Sequence, residues 1–243
     1  MEVRLNGRVY TCLEQLREQA DEELFLFLEE WFDDRSYVLG HTSGSTGAPK
    51  EIQLSKADMR ASARMTNAFF AIDRESVLLL CLSVSYIAGK MMVVRALEAG
   101  AELLTVKVSS HPLRITGQEE YVDRRIDLAA MVPMQVEESM KSESEKQRFG
   151  YIRHLIIGGA PVSVALEERL KKIPTQCYAT YGMTETVSHI ALKKLNSDPA
   201  YFALGEVGFE QDERGCLIIN APHLQARRFV TNDMVRLHGN KRF

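Results

Sequence analysis

Nine consecutive residues, Thr42-Ser43-Gly44-Ser45-Thr46-Gly47-Ala48-Pro49-Lys50, hold four hydroxyls, two glycines and one lysine. That density of small donors suits a phosphate group. Glycine lets the backbone wrap closely around a ligand. Neighbouring N–H groups and hydroxyls form an anion-binding concavity, and lysine adds a mobile positive charge. The run is not a Walker A loop, because Pro49 and Lys50 stand where that pattern requires Gly-Lys followed by Ser or Thr. A flexible linker would need neither a lysine fixed behind a proline nor a place between a strand and a helix, which is where this loop is expected. Three further clusters stand out downstream: Gly158-Gly159-Ala160-Pro161, Tyr181-Gly182-Met183-Thr184-Glu185 and Phe229-Val230-Thr231-Asn232-Asp233.

Such clusters need a scaffold. Strands are predicted at 36–40, 77–82, 102–108, 127–132, 154–157 and 176–181 from short apolar runs. Helices are predicted at 22–32, 56–71, 88–99, from Pro133 onward, and at 162–172. Ser55 with Asp58 resembles a capping box for the second helix. Gly100 ends the third, and Pro133 suits a first helical position. Alternating strands and helices predict an α/β fold, with mostly parallel sheets flanked by helices. Beyond residue 203, Gly205, Gly208 and Gly215 punctuate short strands at 216–219 and 227–230. The expected division is an α/β core with a short lead-in over 1–202 and a small β-rich lobe over 203–243. The charge-dense stretch 141–148 is expected to be solvated.

Taken in order, the four clusters resemble the acyl-adenylate-forming (AMP-binding) superfamily. The first matches its T-S-G-S-T-G-x-P-K phosphate loop at Thr42, Ser43, Gly44, Ser45, Thr46, Gly47, Pro49 and Lys50. The others resemble its G-G-A-P turn, its Y-G-x-T-E motif and its Y-x-T-G-D motif, with Asn232 in place of the last glycine. The resemblance implies an acyl-CoA synthetase-like fold that binds ATP with Mg2+ and uses coenzyme A as co-substrate. By the same resemblance, Thr42, Ser43, Ser45, Thr46 and Lys50 face the β- and γ-phosphates. Gly159, Ala160 and Pro161 line the adenine, Tyr181 stacks on it, and Gly182 and Thr184 approach the α-phosphate. Glu185 holds Mg2+ and Asp233 the ribose hydroxyls. Lys50, Thr184 and Glu185 are the catalytic candidates.

Within the superfamily, the short lead-in and residues 184–191 look like the compact 2-succinylbenzoate–CoA ligases of menaquinone biosynthesis. Residues 83–90 occupy the place of the acyl-pocket segment, with Tyr86 where relatives often carry histidine. A substrate with two carboxylates needs a cation or donor for the second, for which Lys90, Ser188 and His189 are candidates. Adenylation of another aryl or acyl acid, and a non-catalytic nucleotide-binding module, stay open as alternatives. The family follows the ribose aspartate with a G-R-x-D hinge and a further domain. No G-R-x-D follows Asp233, so that domain is expected to be absent. The net charge of -3 argues against a nucleic-acid partner. No apolar run is long enough to span a membrane. The four scattered cysteines fit a reducing cytoplasm rather than a disulfide or zinc framework.

Overall fold

The computed structural model describes residues 1–41, 51–114, 124–195 and 197–243. A nine-stranded sheet forms the centre. Its middle is parallel: β5 (Val77–Leu80), β6 (Glu102–Thr105), β7 (Ile126–Met131), β8 (Ile152–Ile157) and β9 (Gln176–Gly182). Beyond β9 lie two antiparallel strands, β10 (His189–Lys194) and β11 (Phe202–Ala203). At the other edge β1 (Val3–Leu5) pairs in parallel with β6, and β2 (Arg8–Tyr10) turns back against β1. The start of the predicted lead-in is therefore a hairpin of this sheet. Its turn is Asn6-Gly7, both at positive φ, the residue pair that a two-residue hairpin loop demands.

Parallel strands bury both faces, so their sequences read as unbroken apolar runs. Along β5, Leu78 and Leu80 join one core while Val77 and Leu79 join the other. Along β7, Leu128 and Ala130 face the first core, and Ala129 and Met131 the second. The first core is closed by α2 (Glu22–Phe32), α3 (Lys56–Phe70) and α4 (Ile87–Ala99). The second is closed by α5 (Pro133–Ser139), α7 (Val164–Leu170) and Phe149, which follows α6 (Glu143–Arg148). A four-residue helix, α1 (Leu13–Leu16), precedes them in the chain. Ser55 caps α3 by accepting from the Asp58 N–H at 3.2 Å. In α6 the charged stretch is not wholly solvated, because Glu145 is buried and meets His111 Nδ1 at 3.0 Å.

Two smaller sheets complete the fold. The β-rich lobe is β12 (Gly208–Gln211), β13 (Cys216–Asn220) and β14 (Arg228–Met234), all antiparallel. The chain then returns to the main sheet, where Tyr201 and Phe243 exchange backbone hydrogen bonds. The other is a ribbon of β3 (Tyr37–His41) and β4 (Glu51–Ser55), paired from Tyr37 with Ser55 to His41 with Glu51. The segment 42–50 therefore joins two antiparallel strands, not a strand and a helix as expected. A nine-residue insertion between paired strands needs no helix to close it, and α3 starts only after β4.

Cys81, Cys177 and Cys216 are buried and all four cysteines are free. Burial pushes the Cys81 and Cys177 thiols up to about 12, so neither is a nucleophile at neutral pH. No helix among the described residues is long and apolar enough to cross a membrane.

Burial also lowers His154, His189 and His223, His154 to about 4 from 6.5. His154 packs beside the rings of Phe70 and Tyr178, its centroid 5.0 and 6.2 Å from theirs. Folded values below the unfolded one mean that the unfolded chain binds the extra protons. Stability is thus full above the unfolded value and falls as pH drops toward the folded one. The urea midpoint is expected to decline from pH 6.5 towards 4, and His154→Gln to flatten that decline. An equal slope in the variant would remove His154 from the account.

Candidate functional site

The C-terminal ends of β5, β7, β8 and β9 open into one cavity of about 480 Å³. Each strand hands the chain to residues that line it: Leu82 after β5, Val132 after β7, Gly158 and Gly159 after β8, and residues 182–185 from β9 onward. Ligands of open α/β sheets gather at this edge. Ile87, Ala88 and Arg95 of α4 form one wall, and Val187, Ser188 and His189 another.

The turn after β9 is built tightly. Thr184–Thr186 forms one 3-10 turn, and Val187 follows at φ 53° and ψ -25°. Left-handed geometry is costly for a β-branched residue. Thr186 secures it: its buried hydroxyl accepts from Met183 N at 3.0 Å and lies 2.8 Å from the Ser188 carbonyl. Gly182 leaves no room for a side chain, because a Cβ would meet Ser188 O at 2.5 Å and His189 Cα at 2.6 Å. Thr184 is thereby held half-buried and Glu185 exposed on the cavity wall.

Of the residues singled out in the sequence, Gly159, Gly182, Thr184, Glu185, Ser188 and His189 line this cavity together. Ala160 and Pro161 continue the turn after Gly159, exposed. Tyr181 reaches out of the main sheet to the lobe, where its hydroxyl donates to Asp233 Oδ2 at 2.5 Å. Burial, then that hydrogen bond, pushes the phenol above its ordinary range. The ring packs edge-on against Phe243 at 4.9 Å. Thr42, Ser43, Gly44, Ser45, Thr46, Gly47 and Lys50 lie outside the described residues. Their flanking strands are anchored, since Leu39 N donates to Glu30 Oε1 at 2.7 Å.

Two acyl-site candidates point elsewhere. Tyr86 precedes α4 and is 65% exposed. Lys90 is buried against α2, 3.9 Å from Glu30 and 4.5 Å from the centre of the Phe27 ring. Neither lines the cavity. Burial also lowers the lysine's proton affinity.

Among the described residues, the cation lining the cavity is Arg95, a residue that no sequence motif marks. It is 2% exposed. Its Nη2 donates to Ser188 Oγ at 2.6 Å and lies 3.5 Å from His189 Nδ1. Among the described residues its Nη1 meets only the Met92 sulfur, and its Nε has no partner. No carboxylate among the described residues pairs with it, and burial lowers it to about 9, still charged at neutral pH.

The sequence profile described as AMP-binding enzyme matches residues 9–224. The chain belongs to the AMP-binding enzyme family. An acyl-CoA synthetase (AMP-forming)/AMP-acid ligase II-like protein from Dyadobacter fermentans superposes with a TM-score of 0.85 at 34% identity, over 95% of this chain and 66% of that one. A 2-succinylbenzoate–CoA ligase of Oceanobacillus iheyensis is 25% identical over 198 residues, 77% of this chain. The chain spans 40% of that ligase's length. The O-succinylbenzoate coenzyme A synthetase of Bacillus subtilis, solved with ATP and magnesium ion, shares the fold at a TM-score of 0.67 and 18% identity. It aligns over 84% of this chain and 48% of its own. The fold expectation of mostly parallel sheet, flanking helices and a small antiparallel sheet thus holds for this member of the AMP-binding family.

Proposed function

We propose that this chain carries the nucleotide- and acyl-binding part of an ATP-dependent acid–CoA ligase acting on 2-succinylbenzoate. In such a reaction the carboxylate attacks the α-phosphorus of ATP and pyrophosphate leaves. The CoA thiol then attacks the acyl carbon and AMP leaves. Thr184 would donate to the α-phosphate, Tyr181 would flank the adenine, and Asp233 would accept from the ribose. Residues 42–50 would contact the outer phosphates. Magnesium would supply charge neutralisation of the leaving pyrophosphate. Glu185 fits its role: a single exposed carboxylate suits an ion carried mainly by nucleotide phosphates rather than a resident metal. Among the described residues no group of three or more His, Cys, Asp or Glu forms a metal cluster.

Arg95 carries the substrate reading. Leu82, Ile87, Met131, Val132 and Val187 give the cavity apolar walls for a ring. Arg95 gives it one charge, with no carboxylate partner among the described residues. An acid with an aromatic body and a second, remote carboxylate matches both. The Oceanobacillus ligase and the Bacillus structure support this reading by their names.

The test is calorimetric titration with the sulfamoyl analogue of 2-succinylbenzoyl-AMP, against its benzoyl counterpart. The first should bind at least about tenfold tighter, a difference of about 1.4 kcal/mol. Equal affinities would leave the nucleotide site standing and sink the substrate.

A further inference from the structure

Arg95 is held by more than its own helix. Its Nη2 lies 3.5 Å from His189 Nδ1, His189 Nε2 lies 3.1 Å from Thr66 Oγ1, and Thr66 Oγ1 donates to the Ser62 carbonyl at 3.2 Å. One end of this chain of bonds can only donate and the other can only accept. Guanidinium has no lone pair to offer, so His189 Nδ1 accepts. The Thr66 proton is committed to Ser62, so His189 Nε2 donates. The imidazole is therefore the neutral Nε2–H tautomer. Its burial and the facing Arg95 charge both oppose a second proton. Thr66 is fully buried and His189 is 7% exposed, so water does not compete for these bonds.

We propose that Thr66 and His189 are positioning residues for acyl selectivity: a neutral relay from α3 through β10 holds the Arg95 guanidinium at the cavity wall with its single charge uncancelled. This rests on reading the cavity as the acyl pocket. The chemistry of the relay explains why no acidic residue does this work. A carboxylate in place of His189 would fix the guanidinium equally well but would cancel the charge that recognises the ligand. A protonated histidine would be repelled by it. Neutral acceptors at Ser188 Oγ and His189 Nδ1 orient Nη2 alone, leaving Nε without an acceptor among the described residues. An anion in the cavity would then receive charge-assisted hydrogen bonds, the strong class.

The experiment compares Thr66→Val, Thr66→Ser and Arg95→Met with the wild-type chain. For each, the succinylbenzoyl and benzoyl sulfamoyl adenylates are titrated and the melting temperature recorded. The readout is the ratio of the two dissociation constants. Thr66→Val should shrink that ratio by about fivefold, the effect of about one net hydrogen bond. Thr66→Ser, which restores the hydroxyl, should return it. If Thr66→Val weakens both ligands alike, Thr66 is structural and the relay is wrong. If Arg95→Met collapses the ratio while Thr66→Val leaves it intact, the anchor stands and the relay falls. If Arg95→Met leaves the ratio unchanged, the acyl-pocket reading itself falls. Nitrogen-15 spectra give a test without ligand: His189 should show the proton on Nε2, and a proton on Nδ1 would overturn the relay.

Discussion

Arg95→Met is expected to erase the preference for a ligand with a remote carboxylate while leaving the protein at least as stable as before. Losing hydrogen bonds to a charged group costs roughly 1.5–3 kcal/mol each, so two of them amount to about 100-fold or more in affinity. The stability side runs the other way. A guanidinium buried without a carboxylate carries a desolvation penalty of several kcal/mol. Burial lowers Arg95 to about 9 in the fold. Its charged form is therefore disfavoured relative to the unfolded chain at every pH below that value, neutral pH included. Methionine removes that penalty and loses the hydrogen bonds to Ser188 and His189, roughly 1.5–3 kcal/mol each for a charged donor, which at most offset the desolvation removed. The melting temperature without ligand should hold or rise, and its increase on adding the succinylbenzoyl analogue should fall to that given by the benzoyl one. A clear drop in the unliganded melting temperature would make Arg95 part of the packing and not of the recognition.

Gly182→Ala should damage nucleotide binding more than any exposed change near the motif. Gly182 is paired with His189 across β9 and β10. An added methyl would sit 2.5 Å from the Ser188 carbonyl and 2.6 Å from His189 Cα, both backbone. Overpacking of this kind costs roughly 1–3 kcal/mol. Here the strain can be relieved only by moving β10 or the turn that carries Thr184 and Glu185. Binding of a sulfamoyl adenylate is expected to weaken by about 100-fold, since misplacement by an ångström is that costly in a preorganised site. Melting should fall by about 5 °C. Wild-type affinity in the variant would show that the turn does not position the ligand.

How much of the molecule was legible in the sequence depended on range. The motif clusters are local, so their residues could be read in order, and the apolar runs of β5, β7 and β8 announced a sheet covered on both faces. Arg95 escaped because its significance is not local. It and His189 are 94 positions apart and meet only through the sheet order and the crossing of α4. A hint was present: a single arginine interrupts the apolar run Met91-Met92-Val93-Val94-Arg95-Ala96-Leu97. Lys90, the cation expected at the acyl site, lies five residues earlier. At 3.6 residues per turn that is roughly 140° around the helix, enough to send it to α2 rather than the cavity. The first hairpin was missed because strands of three residues are too short to show alternation. Its Asn6-Gly7 turn was nonetheless a readable sign. The ribbon around 42–50 was hidden because Glu51-Ile52-Gln53-Leu54-Ser55 is half-polar and buries only Leu54.

The direction of the parallel strands also sorts the surface by consequence. The cavity-lining residues sit past the strand ends, whereas the turns that enter the same strands, at 72–76, 149–151 and 171–175, lie at the far edge of the sheet. Arg74, Tyr151, Lys172 and Pro174 are exposed there. A tether, dye or immobilisation tag belongs on that side. Fixed through Lys172, for instance, the molecule would present its open cavity to solution and the far edge of the sheet to the support.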